Sequence, residues 1–200
     1  MQHLTLVDRI DSAITMTTAV VDGISPDQFA APSLCAGWDV RDELNHLVGG
    51  VRIFTAALGG PPAGADHDAD WLGGDPHLAY HEAATADRAA WRRPGALDTT
   101  VHISLGALPG PMAAVVHLTE VLVHGVDLAV ATGRGQHIDQ RQCADLLTTM
   151  HQAGGIDPFR RPGMFGPEQP APADATPSRQ LLAYLGRAAE HGATEMTAKA

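Results

Sequence analysis

The chain has 200 residues, of which 44% are hydrophobic and 18% are charged, and its formal net charge is -10. This length suits a single domain that buries a substantial core, and this composition excludes a disordered, collagen-like or coiled-coil chain. The acidic surplus disfavours nucleic-acid binding because it repels phosphate, and no cluster of basic residues offsets it.

The ends and the cysteines of the chain carry no signal for export. Asp8, Arg9 and Asp11 interrupt the N-terminal segment, which excludes the apolar core of a signal peptide. The sequence contains no uninterrupted run of 18 apolar residues, so it predicts no membrane-spanning helix. Cys35 and Cys143 lie far apart and form no motif. We therefore expect a cytoplasmic protein with two free thiols, no membrane partner and no nucleic-acid partner.

Apolar residues recur at three- and four-residue steps along much of the chain, which predicts helices. Asp39 and Asp42 predict the N-cap and the third position of the second helix. Alternating Val101, Ile103 and Leu105 indicate a short extended segment. The predicted helices cover about residues 3–22, 39–58, 76–92, 111–131 and 139–153, with a short last helix around 181–185.

Four long helices and little strand predict an all-α fold, an up-and-down four-helix bundle with a short extended segment and a C-terminal extension. We expect residues 1–153 to form a metal-binding bundle. We expect residues 154–200 to pack on the same domain and to end in a short helix and a tail that need not be ordered.

The fourth predicted helix is apolar almost all round, apart from Thr119 and one narrow polar stripe. His117, Glu120, His124 and Asp127 form this stripe and fall within about 80° of one another on the helix. A solvated face would be wider and would include Lys, Arg or Gln. Buried imidazoles and carboxylates are costly unless they are paired or bind a metal, so this stripe predicts a site of one of those two kinds.

Glu120 and His124 are four residues apart, so both side chains reach one ion from the same helix face. A second histidine from another helix would complete a site of two histidines and one carboxylate, and His46 on the second helix is the candidate. Two alternatives stay open: a buried hydrogen bond between His124 and Glu120, and a His46 that lies at the surface or is satisfied in the core.

Asp127 and His117 are the candidate catalytic residues, and the sequence identifies no residue that binds a cofactor. Asp127 either orients a ligand imidazole through its other ring nitrogen or bonds to backbone or to an Arg. His117 is a fourth ligand, a general base or a packed histidine.

Two stretches resemble a known family. Residues 38–47, WDVRDELNHL, resemble the W-x-V-R-D-L-x-x-H-L helix of the DinB-like, mycothiol-dependent maleylpyruvate isomerase superfamily. Residues 120–129, EVLVHGVDLA, resemble its E-x-x-x-H-x-x-D-L-A helix. Residues 161–167 and 181–187 are similar to the tail of its small actinobacterial members, so the resemblance covers about residues 4 to 187.

The resemblance implies a DinB-like four-helix bundle with a divalent metal ion bound by His46, Glu120 and His124. Zinc is usual in the mycothiol branch, and nickel occurs in other DinB-like proteins. Val126 stands where the family often has Trp, and 200 residues leave no room for the separate C-terminal domain of the larger isomerases. Relatives in this family often form homodimers.

A zinc ion with three protein ligands keeps one position open, and a thiol bound there loses its proton. The resulting thiolate would attack a small electrophilic substrate. The expected function is therefore that of an S-transferase or isomerase that depends on zinc and on a thiol, with mycothiol as the co-substrate. The alternatives are a metal-dependent hydrolase that uses a bound water and a non-catalytic metal- or ligand-binding module.

Overall fold

The computed structural model describes residues 4–64, 66, 69–161 and 164–187. Within them, six α-helices and one two-stranded antiparallel sheet follow each other along the chain. The elements are α1 (Leu6–Val21), α2 (Val40–Ala57), α3 (Pro76–Trp91), β1 (Thr100–Ile103), β2 (Gly106–Pro109), α4 (Gly110–Ala131), α5 (Gln140–Gln152) and α6 (Pro177–Tyr184). The prediction of a mostly helical fold is confirmed, whereas the up-and-down order of a four-helix bundle stays a prediction.

Helix α2 begins where the sequence predicts it. The Asp39 carboxylate accepts a hydrogen bond from the Asp42 backbone N–H at 2.8 Å. The Asp42 carboxylate accepts one from the Asp39 backbone N–H at 3.2 Å. This reciprocal capping satisfies two of the N–H groups that have no partner in the first turn, so it fixes where the helix that carries His46 starts.

Helix α4 forms the centre of the core. It packs on α1 and α2, and α3 packs on the same two helices. Gly125 allows α4 to approach α1 closely, because a Cβ at this position would collide with Thr17. Most residues of α4 are buried, including His117, His124 and Asp127. Three of the four residues of the predicted polar stripe are therefore inside the fold, and Glu120 is partly exposed.

One described helix, α4, is long and apolar enough to cross a membrane by length and composition alone. In its most apolar window, 78% of the residues are buried inside the fold. Such burial is typical of a helix at the centre of a globular core. The expectation that the protein has no membrane partner stays a prediction.

The extended segment predicted around Val101 is a hairpin of two strands rather than one isolated strand. Strand β1 pairs with β2 in antiparallel register, with Val101 opposite Leu108. Strand β2 begins directly after the turn with Gly106 at a φ of 108°, a conformation that residues with a side chain rarely adopt. The prediction missed the second strand because the glycine and two prolines around it resemble a loop. The hairpin packs on α2 and α4.

The segment after α5 returns to the helical core. Helix α6 packs on α5. Arg160 ties the connection to α6 by donating to the backbone oxygens of Gly166 and Tyr184, at 2.7 and 3.0 Å. The tail expected after residue 187 lies outside the described residues, and the division into residues 1–153 and 154–200 stays a prediction.

Candidate metal centre

Helices α2 and α4 bring His46, Glu120 and His124 together. The Nε2 atom of His46 lies 3.5 Å from Oε2 of Glu120, and Nε2 of His124 lies 3.6 Å from the same oxygen. One ligand atom from each of the three residues falls within 4.8 Å of the other two. The three predicted metal ligands therefore form one cluster.

The donor set of this cluster fits a divalent ion such as zinc. Two imidazole nitrogens and one carboxylate oxygen are the ligands of many catalytic zinc sites. With bonds of zinc's usual length, ligand atoms at the corners of a tetrahedron lie about 3.4 Å apart. The two N···O separations of 3.5 and 3.6 Å are close to this value.

The cluster lies at the inner surface of a cavity of about 1050 Å³. The side chains of His46 and Glu120 are 30% and 34% exposed, and that of His124 is 9% exposed. The indole ring of Trp38 lies beside both imidazoles, with centroid distances of 5.0 Å to His46 and 6.5 Å to His124. An ion bound here would be open to the cavity on one side and held by the two helices on the other.

Much of the rest of the cavity wall is apolar. It is built from α2, the β1–β2 turn, α4, the loop before α2 and the C-terminal segment. Gly186 lets this last segment turn at a φ of 84° and pack against the backbone of Gly166. The apolar lining residues include Leu34, Ile53, Phe54, Ile103, Leu105, Val116, Met164, Phe165 and Leu185.

The other ring nitrogen of His124 is bound by Glu43, a residue that sequence reasoning did not select. The Nδ1 atom of His124 lies 2.8 Å from Oε1 of Glu43, whose side chain is fully buried. Burial alone would raise the pKa of Glu43, but the hydrogen bond and the charge of His124 outweigh it and hold the pKa below its usual range. Glu43 is therefore an ionised carboxylate that accepts from Nδ1.

A similar balance holds for the two candidate ligands of α4. Burial alone would raise the pKa of Glu120, but the imidazoles of His124 and His46 beside it lower the pKa well below its usual range. Burial alone would lower the pKa of His124, but its contacts with Cys35, Glu120 and Glu43 raise the pKa well above its usual value. The carboxylates of Glu43 and Glu120 therefore favour a proton or a cation at the imidazole between them.

Asp127 lies behind His124 and bonds to the C-terminal segment. Its Oδ2 atom accepts from Nε of Arg187 at 2.9 Å and lies 3.9 Å from Nδ1 of His124. Burial, together with the negative charge of Glu43, raises the pKa of Asp127 to about 7, although Arg187 lowers it. Of the two sequence alternatives for Asp127, the geometry matches the bond to an Arg, and its role in catalysis stays a prediction.

Cys35 completes a second group of possible metal-ligating side chains, with Glu43, His124 and Asp127. Its Sγ atom lies 3.6 Å from Glu43 Oε1 and 3.9 Å from Asp127 Oδ2. Arg187 already supplies a positive charge here, at 2.9 Å from Asp127 and 3.9 Å from Sγ. The outer cluster of His46, Glu120 and His124 therefore fits an ion better than this inner group.

His117 lies in a separate buried pair. Its Nε2 atom is 2.8 Å from Oδ2 of Asp87 on α3, and both side chains are fully buried. Its ring packs beside Phe54 and Trp91, at centroid distances of 4.7 and 5.4 Å. His117 is not among the described residues that line the cavity. The geometry matches the packed histidine among its three alternatives.

Glu43 and Arg187 were missed for different reasons. Glu43 stands four residues before Leu47 and three after Val40, so it interrupts the apolar face of α2, and this interruption is the signal that could have identified it. In the family motif quoted above, a leucine occupies this position. Arg187 reaches α4 from the far end of the chain, and no local pattern predicts that contact.

Comparison with known proteins identifies related chains. A model of the mycothiol maleylpyruvate isomerase N-terminal domain matches residues 10–129. An uncharacterized protein of Mycobacterium tuberculosis, found in two strains, is 33% identical over 174 residues, which cover 84% of this chain and 90% of that protein.

Two crystal structures have a similar fold. The structure of the mycothiol-dependent maleylpyruvate isomerase has a TM-score of 0.54 and 19% identity, and the match covers 76% of this chain and 73% of that one. A variant of that enzyme with one histidine replaced by alanine gives the same TM-score and coverage at 18% identity. The DinB-like resemblance seen in the sequence is confirmed.

Proposed function

Because the chain belongs to the family of the mycothiol maleylpyruvate isomerase N-terminal domain, we propose that it is a metal- and thiol-dependent isomerase or S-transferase. Mycothiol is the proposed thiol, and the substrate is a small electrophile. One observation carries the proposal: His46, Glu120 and His124 converge on a cavity of about 1050 Å³. This volume is at the upper end of the range for small-molecule sites, so it suits two small ligands at once.

The proposed metal ligands are Nε2 of His46, the carboxylate of Glu120 and Nε2 of His124, with zinc as the first candidate and nickel as the second. A bound divalent ion would supply the charge that stabilises a thiolate near neutral pH. The residues of this chain would hold the metal ligands and the substrate in place. Trp38 packs beside both imidazoles and restricts their rotation, since its ring lies 5.0 Å from that of His46.

The apolar wall gives the electrophile a place to bind. Ile53, Phe54 and Val116 lie on the same helices as the metal ligands, and Phe165 lies in the C-terminal segment. Burial of the apolar body of a substrate against this wall would exclude water from the reacting atoms. The wall therefore supports attack by a thiolate and disfavours attack by water.

The lining residues also favour the thiol-dependent function over hydrolysis. A hydrolase needs a general base beside the attacking water. Among the described residues that line the cavity, the histidines and carboxylates are His46, Glu120 and His124, all of which are proposed ligands. Glu43 and Asp127 lie behind His124 and bond to His124 and Arg187.

We also propose the arrangement of the helices, the cellular location and the oligomeric state of the protein. The frame of the site is an up-and-down four-helix bundle, which is supported by the packing of α1 to α4 on one another. The location is cytoplasmic, which is supported by two free thiols, Cys35 and Cys143. A homodimer is proposed because relatives in the family often form one, and sedimentation of the purified protein tests this proposal.

The experiment is an assay of protein loaded with zinc, with mycothiol and an electrophile such as monobromobimane or maleylpyruvate. We expect consumption that requires both the thiol and the metal ion. The His46→Ala variant should lose this activity, and the His81→Ala variant should keep it, because His81 pairs with Asp22 at the surface. Consumption without thiol would favour the hydrolase, and no consumption by metal-loaded protein would favour the non-catalytic binding module.

A further inference from the structure

Glu43 is a buried carboxylate directly behind a proposed metal ligand. Its Oε1 atom lies 2.8 Å from Nδ1 of His124, and its side chain is fully buried. A buried carboxylate is costly unless it is paired, so its position in the apolar face of α2 needs an explanation beyond packing. Its bond to His124 provides one.

This bond determines which nitrogen of the His124 ring carries a proton and which one can bind a metal ion. A carboxylate oxygen 2.8 Å from a ring nitrogen is the usual acceptor for the N–H of a ligand histidine, which places the proton on Nδ1. When a metal ion displaces the proton from the other nitrogen, that nitrogen offers its lone pair to the ion. This nitrogen, Nε2, is the atom that lies 3.6 Å from Glu120 at the cavity surface.

Asp127 does not compete for this role. Its Oδ2 atom is 3.9 Å from Nδ1 of His124, which is too far for a hydrogen bond, and it accepts from Arg187 at 2.9 Å. The shorter contact therefore indicates that the His124 ring is oriented by Glu43, a residue of α2, which is the helix that also carries His46.

We infer that Glu43 is a positioning residue, which holds His124 with its Nε2 lone pair towards the cavity and strengthens metal binding through that nitrogen. This inference rests on the metal site of the proposed function. Carboxylates that bond to a ligand histidine in this way typically contribute 10- to 100-fold to metal affinity.

The chain contains a matched control. Asp87 and His117 form a second buried carboxylate–histidine pair with the same 2.8 Å distance, and among the described residues this histidine belongs to neither group that could hold a metal ion. Replacing either carboxylate with the corresponding amide keeps its size and removes a carboxylate that faces a histidine on α4. Both changes should lower stability, but only the change at Glu43 should weaken metal binding.

The experiment is a titration of the metal-free full chain with Co²⁺, followed by its visible absorption, for the parent and for Glu43→Gln, Asp87→Asn and Asp127→Asn. We expect binding about 10- to 100-fold weaker for Glu43→Gln and close to the parent value for Asp87→Asn. An unchanged affinity for Glu43→Gln overturns the inference, and so does a loss for Asp127→Asn as large as that for Glu43→Gln. A parent that binds no Co²⁺ overturns the proposed metal site itself.

A second measurement uses the unchanged sequence and does not depend on the folding of a variant. In zinc-loaded protein, ¹⁵N NMR of the histidine side chains should show His124 with its proton on Nδ1 and the metal on Nε2. Zinc bound to Nδ1 of His124 would overturn the inference even if the protein binds one ion.

Discussion

His46 Nε2 and Glu120 Oε2 lie 3.5 Å apart, although they belong to different helices that are distant in the chain. The separation is close to that between two ligands of one zinc ion and is long for a hydrogen bond. Glu120 keeps a similar distance of 3.6 Å to His124 on its own helix. The contact between α2 and α4 thus builds a cluster whose spacing suits an ion between the side chains.

Replacement of His46 by alanine should abolish tight metal binding and leave the fold intact. His46 is about a third exposed and contributes one of three donor atoms. Removal of a ligand should cost more than the 10- to 100-fold typical of a residue that only supports a ligand. The measurement is a Co²⁺ titration with circular dichroism as the check on folding. Tight binding by the variant would show that His46 is not a ligand.

Removal of the metal should lower the melting temperature. An ion that binds only the folded state at 100 times its Kd stabilises that state by about 2.7 kcal/mol. For a chain of this size, the loss corresponds to a fall of about 5–11 °C. Calorimetry of metal-replete and chelator-treated protein measures it. The His124→Ala variant is the control, because a chelator should leave its melting temperature unchanged. An equal effect of chelator on both proteins would contradict the prediction.

The His117→Leu variant should lose stability without losing metal. The change leaves the Asp87 carboxylate buried with Thr55 as its hydrogen-bond donor, at 3.2 Å. Removing one partner of a buried hydrogen bond costs about 1–3 kcal/mol. Urea unfolding measures this loss, and metal analysis should give the parent stoichiometry. A stable, metal-loaded variant without thiol-dependent activity would instead place His117 among the catalytic residues.

The two thiols should differ in their access to reagents. Cys35 lines the cavity, whereas Cys143 is fully buried. Burial raises the pKa of both thiols, and that of Cys143 rises from 9.0 to about 12. This rise lowers the thiolate fraction of Cys143 near pH 8 by roughly 1000-fold, and the thiolate is the reactive form.

Iodoacetamide at pH 8 should therefore alkylate Cys35 slowly in the native protein and Cys143 only after unfolding. Peptide mass spectrometry distinguishes the two sites, and protein unfolded in guanidinium provides the reference rate. Alkylation of native Cys143 at the unfolded rate would contradict its burial.

The sequence predicted the features that have a local signature. Helix α2 begins at the Asp39 cap because the capping residues are neighbours in the chain. The polar stripe of α4 was visible because its residues recur at three- and four-residue steps in a helix that is otherwise apolar. The stripe selected Glu120 and His124, and the family resemblance implied His46 as the third ligand. The structure brings these three side chains together.

Local patterns of this kind did not predict the contacts between segments that are distant in the chain. The bond between Glu43 and His124 depends on the rotation of α2 against α4, and a helical period does not determine that rotation. The pairing of Arg187 with Asp127 depends on the path of a segment that has little periodicity. The partner of His117, Asp87, lies on α3, the most polar of the four long helices, and its burial depends on how α3 packs on α1 and α2.

The central claim is tested most directly by the metal content of protein purified without a chelator or a histidine tag. Inductively coupled plasma mass spectrometry would compare the parent with the His124→Ala variant. The account predicts close to one equivalent of zinc or nickel in the parent and little in the variant. A metal-free parent that cannot be reloaded with either ion would contradict it, and His46, Glu120 and His124 would then be a polar network without a metal.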